Sequence, residues 1–581
     1  MLAALSCVIA CSGESKSLAD GAPEAAGGAG GLPTTTGGVP ATGGAGGDTG
    51  GAGGAAGGAT PSGGSAGPNA GGTPTGSWLV PARIRRLANA EYDGSVQALL
   101  STEQSPATGP DFPPDLRQDG FTVSDTQRVD AVLVERLDEA ALELVARARE
   151  AGTLARLAPC ASNDDPKSCA RAYITSFGGR VYRRPLLDVE VQALLALYEI
   201  GAEAASYEDG IAHVTRGLLQ SAGFLYLTEL GDGGPAQNHT VQLTAHEIAV
   251  QLSYSFTSAP PDDELAQKAA AGALADPEQR AAQVRRLFET DARARDTAVR
   301  LVREWLGIDR IDDSAKDSLV YPEFENEKPR IVAESRDFVG GVAFESTGNI
   351  SELFNADWTV DSGPLSLYQV AGKGPIPASS RLTGRIGILN QAAFLAGYAN
   401  AHESHPVFRG VAIAQRVTCL NLDSPASFNI QVVPPLPDPT KTTRELFSAH
   451  AADEICASCH DIIDPFGFSF EHFDGMGAYR ESDNGKPVDS AVTVSVDQDY
   501  DGDFADSNEF ALALAKSERV RECFARFMFR AVKATGDNAA TPGETEFMDF
   551  WRKQPKARQG DMLETWISIA KSPTFTLREE P

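Results

Sequence analysis

The residues of this chain best suited to chemistry are its cysteines and histidines, of which it has eight each. Two cysteines stand three positions apart with a histidine directly behind them, in Cys456-Ala457-Ser458-Cys459-His460. Two thiols at that spacing lie on one side of a helical turn and can form thioether bonds to the two vinyl groups of one porphyrin. The adjacent His460 is then held against the iron as its proximal ligand. A CxxC pair is also a disulfide pattern or half of a zinc site. No second CxxC and no HxxxH stands elsewhere in the chain to complete a tetrahedral set. The reading is one haem c, attached through Cys456 and Cys459.

The opposite face of the iron has two candidates, because imidazole and thioether sulfur are the usual distal donors. His450 lies ten residues before His460, and Met476 lies in the glycine-flanked stretch Phe473-Asp474-Gly475-Met476-Gly477. Asp464-Pro465 is expected to offer a carbonyl to the other ring nitrogen of His460, a contact that would orient the imidazole. Upstream, Thr442-Thr443-Arg444-Glu445 has the form of a capping box. It predicts a helix through Leu446, Phe447 and His450, after an extended connector containing Pro434, Pro435, Pro437 and Pro439.

Setting aside Cys7 and Cys11 near the N-terminus, four cysteines remain: Cys160, Cys169, Cys419 and Cys523. They are disulfide candidates in an oxidising compartment. Cys160 with Cys169 would close a small loop, and Cys419 with Cys523 would bridge the haem region to the C-terminal region. Four cysteines allow three pairings.

Two further groups have residue types that bind metals. Asp497-Gln498-Asp499-Tyr500-Asp501-Gly502 resembles the start of a calcium loop, but position twelve is Asn508 and Glu509 falls one place late, so a solvated acidic turn competes with calcium. His402, Glu403 and His405 lack a partner at metal spacing and read as a polar loop. Nothing resembles a Ser/His/Asp triad, a phosphate loop or a dinucleotide fingerprint.

These groups need a body to position them. Apolar stripes at helical spacing run through Val189, Val191, Leu194, Leu195 and Tyr198, through Val284, Leu287 and Phe288, and through Ala298, Leu301, Val302, Trp305 and Leu306. Strand-like alternation is clearest at Thr240 to Leu243 and Val492 to Val496. The predicted fold is mainly α: a multi-unit helical body with a cytochrome-c-like haem segment and a few short strands. From Gly21 to Gly76 the chain is Gly, Ala, Thr, Ser and Pro with scarcely a large apolar side chain, a composition that cannot repay the entropy of ordering it. The expected segments are a lipoprotein signal at 1–11, a linker at 12–77, helical units at 78–150 and 155–205, a central helical domain at 206–370, the haem domain at 380–496 and a C-terminal unit at 503–578.

The apolar stretch before Cys11 resembles a lipobox, with Cys11 as the lipidated residue. Ser12 follows it, which points to the outer membrane, reached by a lipid anchor and not by a span. The net charge of −29 would repel a phosphate backbone, so a nucleic-acid partner is excluded.

Several motifs recur together. They are Arg86-Leu87 with Glu91-Tyr92 and Phe112-Pro113-Pro114-Asp115; Tyr182-Arg183-Arg184-Pro185; Leu219-Gln220-Ser221 through Phe224-Leu225-Tyr226 and Glu247-Ile248-Ala249; Arg385-Ile386-Gly387-Ile388-Leu389; Pro406-Val407 with Arg409-Gly410; and CASCH followed by Asp464-Pro465-Phe466-Gly467-Phe468, Glu471 and Phe473-Asp474. With them the chain resembles the exported proteins of planctomycetes and myxobacteria that string several domains of unknown function around a cytochrome-c-like segment. The resemblance implies a helical, exported, haem-bearing protein and supplies no substrate. His405 departs from it, standing where a small hydroxyl residue is common before Pro406, whereas His450 matches a frequent family histidine.

The expected function is electron transfer through one haem, with a redox protein or a surface substrate as partner. The alternatives are a haem-dependent oxidative or peroxidatic enzyme, and a haem-stabilised binding or scaffold protein at the cell surface. A distal position that is filled favours the first; an open one favours the second.

Overall fold

The structure, a computed structural model, describes residues 79–580 apart from 205, 235–238, 374–378, 423–434, 437, 451–453 and 537–542. The expected lipobox with Cys11, the expected linker at 12–77, and part of the expected proline connector lie outside the described residues. Helices make up 58% and strands 8%, so the protein is mainly helical, with a few short strands. No described helix is long and apolar enough to cross a membrane.

Helix starts follow local chemistry. Asp130 accepts a hydrogen bond from the Leu133 N–H and opens helix Ala131–Glu150. Asp165 caps helix Pro166–Tyr182 through the Ser168 N–H, with Pro166 at the first helical position. Leu133, Leu137, Ala141, Leu144 and Ala148, spaced three and four apart, then form one buried stripe. In helix Asp188–Ala204 the stripe is Val191, Leu194, Leu195 and Tyr198. Val189, counted in it from the sequence, is 71% exposed, because in that helix it points away from the face the other four share.

These helices, with Asn89–Leu100 and Tyr207–Leu219, enclose a first core from Tyr92 to Phe224. Tyr207–Leu219, grouped by the sequence with the central segment, packs here instead. A second core contains Phe121 and then runs from Leu243 to Phe575, taking in the segments drawn as central, haem-bearing and C-terminal. Two short antiparallel ladders tie together segments far apart in the chain. Arg83–Arg86 pairs with Tyr226–Glu229, and Thr240–Gln242 pairs with Leu577–Glu579. Beside them Arg578 Nε donates to Glu229 Oε2 at 2.7 Å and Arg83 Nε donates to the same oxygen at 3.2 Å. Burial alone would push Glu229 up, but the two guanidiniums outweigh it and hold the carboxyl well below its usual range.

Cys160 is joined to Cys169 and Cys419 to Cys523. The first bridge closes the short turn into helix Pro166–Tyr182. The second fixes the chain after helix Pro406–Ala412 to the buried helix Glu518–Lys533.

Candidate functional site

Cys456, Cys459 and His460 fall on one helix, Glu454–Phe468. It follows helix Thr443–His450, whose start is the expected reciprocal cap: the Thr442 N–H donates to Glu445 Oε2 at 2.8 Å, and the Glu445 N–H donates to Thr442 Oγ1 at 3.1 Å. The side chains of His450 and Cys456 are outside the described set, and Cys459 is half-buried.

His460 Nδ1 lies 2.8 Å from Asp464 Oδ1, with the two side chains only 13% and 10% exposed. The expected partner in Asp464-Pro465 was a main-chain carbonyl; the structure places the Asp464 carboxylate there. The reason is helical geometry: a side chain at i+4 leans back toward the N-terminus and meets residue i. A neutral imidazole that donates from Nδ1 to a carboxylate carries its lone pair on Nε2, the tautomer required of a metal ligand.

The helix is wedged against helix Pro406–Ala412 at two glycines. A Cβ on Gly410 would land on the Ile463 carbonyl oxygen, and one on Gly467 on the Pro406 carbonyl oxygen. Both obstacles are backbone and cannot rotate away. We therefore expect Gly467→Ala to cost about 3 kcal/mol of overpacking, of which about 1 kcal/mol is recovered as helix propensity. Urea unfolding should show a net loss of about 2 kcal/mol; an unchanged midpoint would mean that the helices separate freely.

His405 explains its own departure from the family pattern. Its Nδ1 accepts the Phe408 N–H at 3.2 Å, capping helix Pro406–Ala412 as a serine or threonine oxygen would. Its ring stacks on Phe408 with centroids 3.6 Å apart. Burial, then the nearby Arg409, pushes its pKa down to about 4, so the acceptor nitrogen stays unprotonated at neutral pH. His402 instead pairs with Asp317 at 3.1 Å.

Two buried arginines shape the chain that follows. Arg409 donates to the carbonyls of Leu395 and Phe473 at 3.0 Å, Asp474 at 2.8 Å and Phe470 at 3.3 Å. Arg385 lies between the rings of Tyr368 and Phe473, 4.2 and 4.5 Å from their centroids, and donates to the Gly477 carbonyl at 2.6 Å. Each guanidinium satisfies carbonyls that a buried turn would otherwise leave unpaired. Met476 sits inside this turn, buried in the second core. In the sequence both arginines stand in motifs that assign them no role; their signal is a charge set in an apolar stretch.

Behind Arg385, Tyr368 donates its hydroxyl to Glu334 Oε2 at 2.6 Å, and Thr359 donates to the other oxygen. Burial pushes Glu334 up to about 7 from an ordinary 4.5, despite these donors. Between those two values the folded chain binds more protons at this carboxyl than the unfolded chain. Its contribution to stability is therefore full below the lower value and declines as pH rises to the upper one, by about 3 kcal/mol. In Glu334→Gln this component should vanish. Urea unfolding at pH 5 and pH 8 checks it: a wild type that loses no more stability than the variant over that interval contradicts the assignment.

The acidic turn is occupied by its own neighbours. Asp501 Oδ1 accepts from the N–H groups of Val496 and Asp497 at 2.6 and 2.7 Å. Asp499 accepts from Ser517 and, at 2.9 Å, from the Arg519 N–H at the start of helix Glu518–Lys533.

Four family models match the chain in succession, each described as a protein of unknown function: PSD3 (DUF1587) over residues 85–150, PSD5 (DUF1595) over 169–229, PSD4 (DUF1592) over 243–369 and PSCyt3 (DUF1588) over 385–483. The chain is thus a series of several domains of unknown function, as the motifs suggested. Most buried apolar residues of the first two matches lie in the first core and most of those of the last two in the second, while Leu87, Leu227, Val250 and Tyr254 form a small cluster shared between matches. The PSCyt3 match begins at Arg385 and contains Arg409, the CxxCH helix and Asp464; the label hints at a cytochrome-like domain. No curated protein and no solved structure matches the chain.

Proposed function

We propose that this protein is an exported, lipid-anchored redox protein that carries one haem c on helix Glu454–Phe468. The observation that carries the reading is the His460–Asp464 contact on a helix that also bears Cys456 and Cys459. The donor set fits the group: thiols three apart for two thioethers, and an imidazole whose Nδ1 is held so that Nε2 is the ligating nitrogen. Bound there, haem supplies one-electron redox chemistry. The chain's own part is to orient His460 through Asp464 and to hold the helix by the Gly410 and Gly467 contacts. Arg409 and Arg385 fix the turn that contains Met476, which with His450 remains the candidate for the far side of the iron. Cys11 is the proposed anchor and the 12–77 segment the tether to it.

The test is a pyridine haemochrome spectrum of the full chain, produced in cells that attach c-type haem and then purified. One covalent haem per chain is expected, with low-spin six-coordinate iron in the untreated protein. Colourless protein overturns the reading; five-coordinate high-spin iron replaces electron transfer with oxidative or peroxidatic chemistry.

A further inference from the structure

Asp464 brings a full negative charge to His460, where the expected main-chain carbonyl would bring only a partial one. Its Oδ1 lies 2.8 Å from Nδ1, and both side chains are nearly buried, so water screens the pair little. Among the described residues, His460 is the one hydrogen-bond or ion-pair partner of this carboxylate. The arginines on the two helices packed against this one are turned elsewhere. Arg409 donates to the four carbonyls named above, and Arg444, on helix Thr443–His450, donates to the carbonyls of Asp489 and Ala491 at 3.0 and 2.8 Å. No cation among them cancels the charge that faces the imidazole.

The backbone that carries Asp464 is held on both sides. Ile463, just before it, sets its carbonyl oxygen against Gly410, and Gly467, three residues after it, lies against the Pro406 carbonyl oxygen. The side chains of Ile463 and Phe466 are buried in the second core. The carboxylate therefore cannot leave the imidazole by a slide of the helix. Orientation alone needs only an acceptor oxygen, which a neutral carbonyl supplies. The charge does something more: it makes the ring a more basic ligand and favours the more positive state of a bound iron.

We propose that Asp464 is a positioning residue that sets the reduction potential of the haem on this helix, lowering it by drawing on the Nδ1–H of His460. This rests on the haem reading above and adds a direction to it: the chain is biased toward giving an electron to its partner. In that exchange one electron passes from ferrous iron to a one-electron acceptor, which is reduced, while the Nδ1 proton stays within the His460–Asp464 pair, so no proton is gained or lost.

The experiment is an optical redox titration, with mediators, of the full chain produced in cells that attach c-type haem. Asp464→Asn keeps an acceptor oxygen for Nδ1–H and removes the charge. At a fixed ambient potential its ferric-to-ferrous ratio should be about tenfold below that of the wild type, the step from a charge-assisted to a neutral hydrogen bond, which is an upward shift of ~59 mV. Asp464→Glu restores the charge and should return the ratio most of the way. Asp461→Asn, the same charge change at an exposed position of the same helix, should move it far less. If the Asp464→Asn chain does not accumulate, the wild type decides through its iron–histidine stretching frequency after photolysis of the carbon monoxide adduct, expected where carboxylate-bonded histidines fall. An unchanged ratio in Asp464→Asn, equal shifts in Asp464→Asn and Asp461→Asn, or a frequency typical of carbonyl-bonded histidine overturns the proposal. A wild-type chain without haem overturns the underlying reading as well, and the haemochrome spectrum tells that failure from a haem whose potential ignores Asp464.

Discussion

Protein in which Cys456 and Cys459 are both alanine, made in cells that attach c-type haem, is expected to carry no covalent haem at all. In the proposed attachment each thiol would contribute one thioether, so a single replacement would leave one bond and only the double variant would remove both. Haem staining after denaturing electrophoresis reads the result directly, because His460 alone cannot hold the group once the chain unfolds. Retained staining in the double variant would place the attachment elsewhere and end the redox interpretation. His460→Ala supplies the contrast: staining should persist while the low-spin spectrum is lost. The body should still fold in the double variant, because among the described residues the buried apolar anchors of helix Glu454–Phe468 are Ile463, Phe466 and Phe468, all C-terminal to the cysteines.

The second large effect concerns the bridge between Cys419 and Cys523, which are 104 residues apart. Closing a loop of that length removes enough unfolded-chain entropy to stabilise the protein by about 4.7 kcal/mol at 25 °C; the Cys160–Cys169 bridge, with a separation of nine, is worth about 2.6 kcal/mol on the same basis. The first figure is a large part of the 5–15 kcal/mol that typically separates folded from unfolded domains. Cys419→Ala with Cys523→Ala should therefore lower the urea midpoint far more than Cys160→Ala with Cys169→Ala. Cys523 is fully buried in helix Glu518–Lys533, so its truncation also leaves a small void and adds to the loss. A smaller loss in the long-range pair than in the short one would mean that its chain entropy is not what the bridge supplies.

The two effects bear on one region from different directions. The long-range bridge ties down the chain that leaves helix Pro406–Ala412, and that helix grips the CxxCH helix through Gly410 and Gly467. Loosening the bridge therefore loosens the platform on which the proposed haem would sit.

What the sequence by itself determined was whatever depends on near neighbours. Spacing in the chain places Cys456, Cys459 and His460 on one helical turn, brings Thr442 and Glu445 into a reciprocal cap, and aligns the apolar stripes that became buried faces, because a helix repeats every 3.6 residues whatever surrounds it. Tertiary structure alone decided the rest. It sank Arg385 and Arg409 among carbonyls more than sixty residues away in the chain. It also drew five sequence segments into two cores. Those outcomes depend on which distant groups meet in a desolvated interior, where an unpaired charge or carbonyl is costly, and local periodicity carries no record of such meetings.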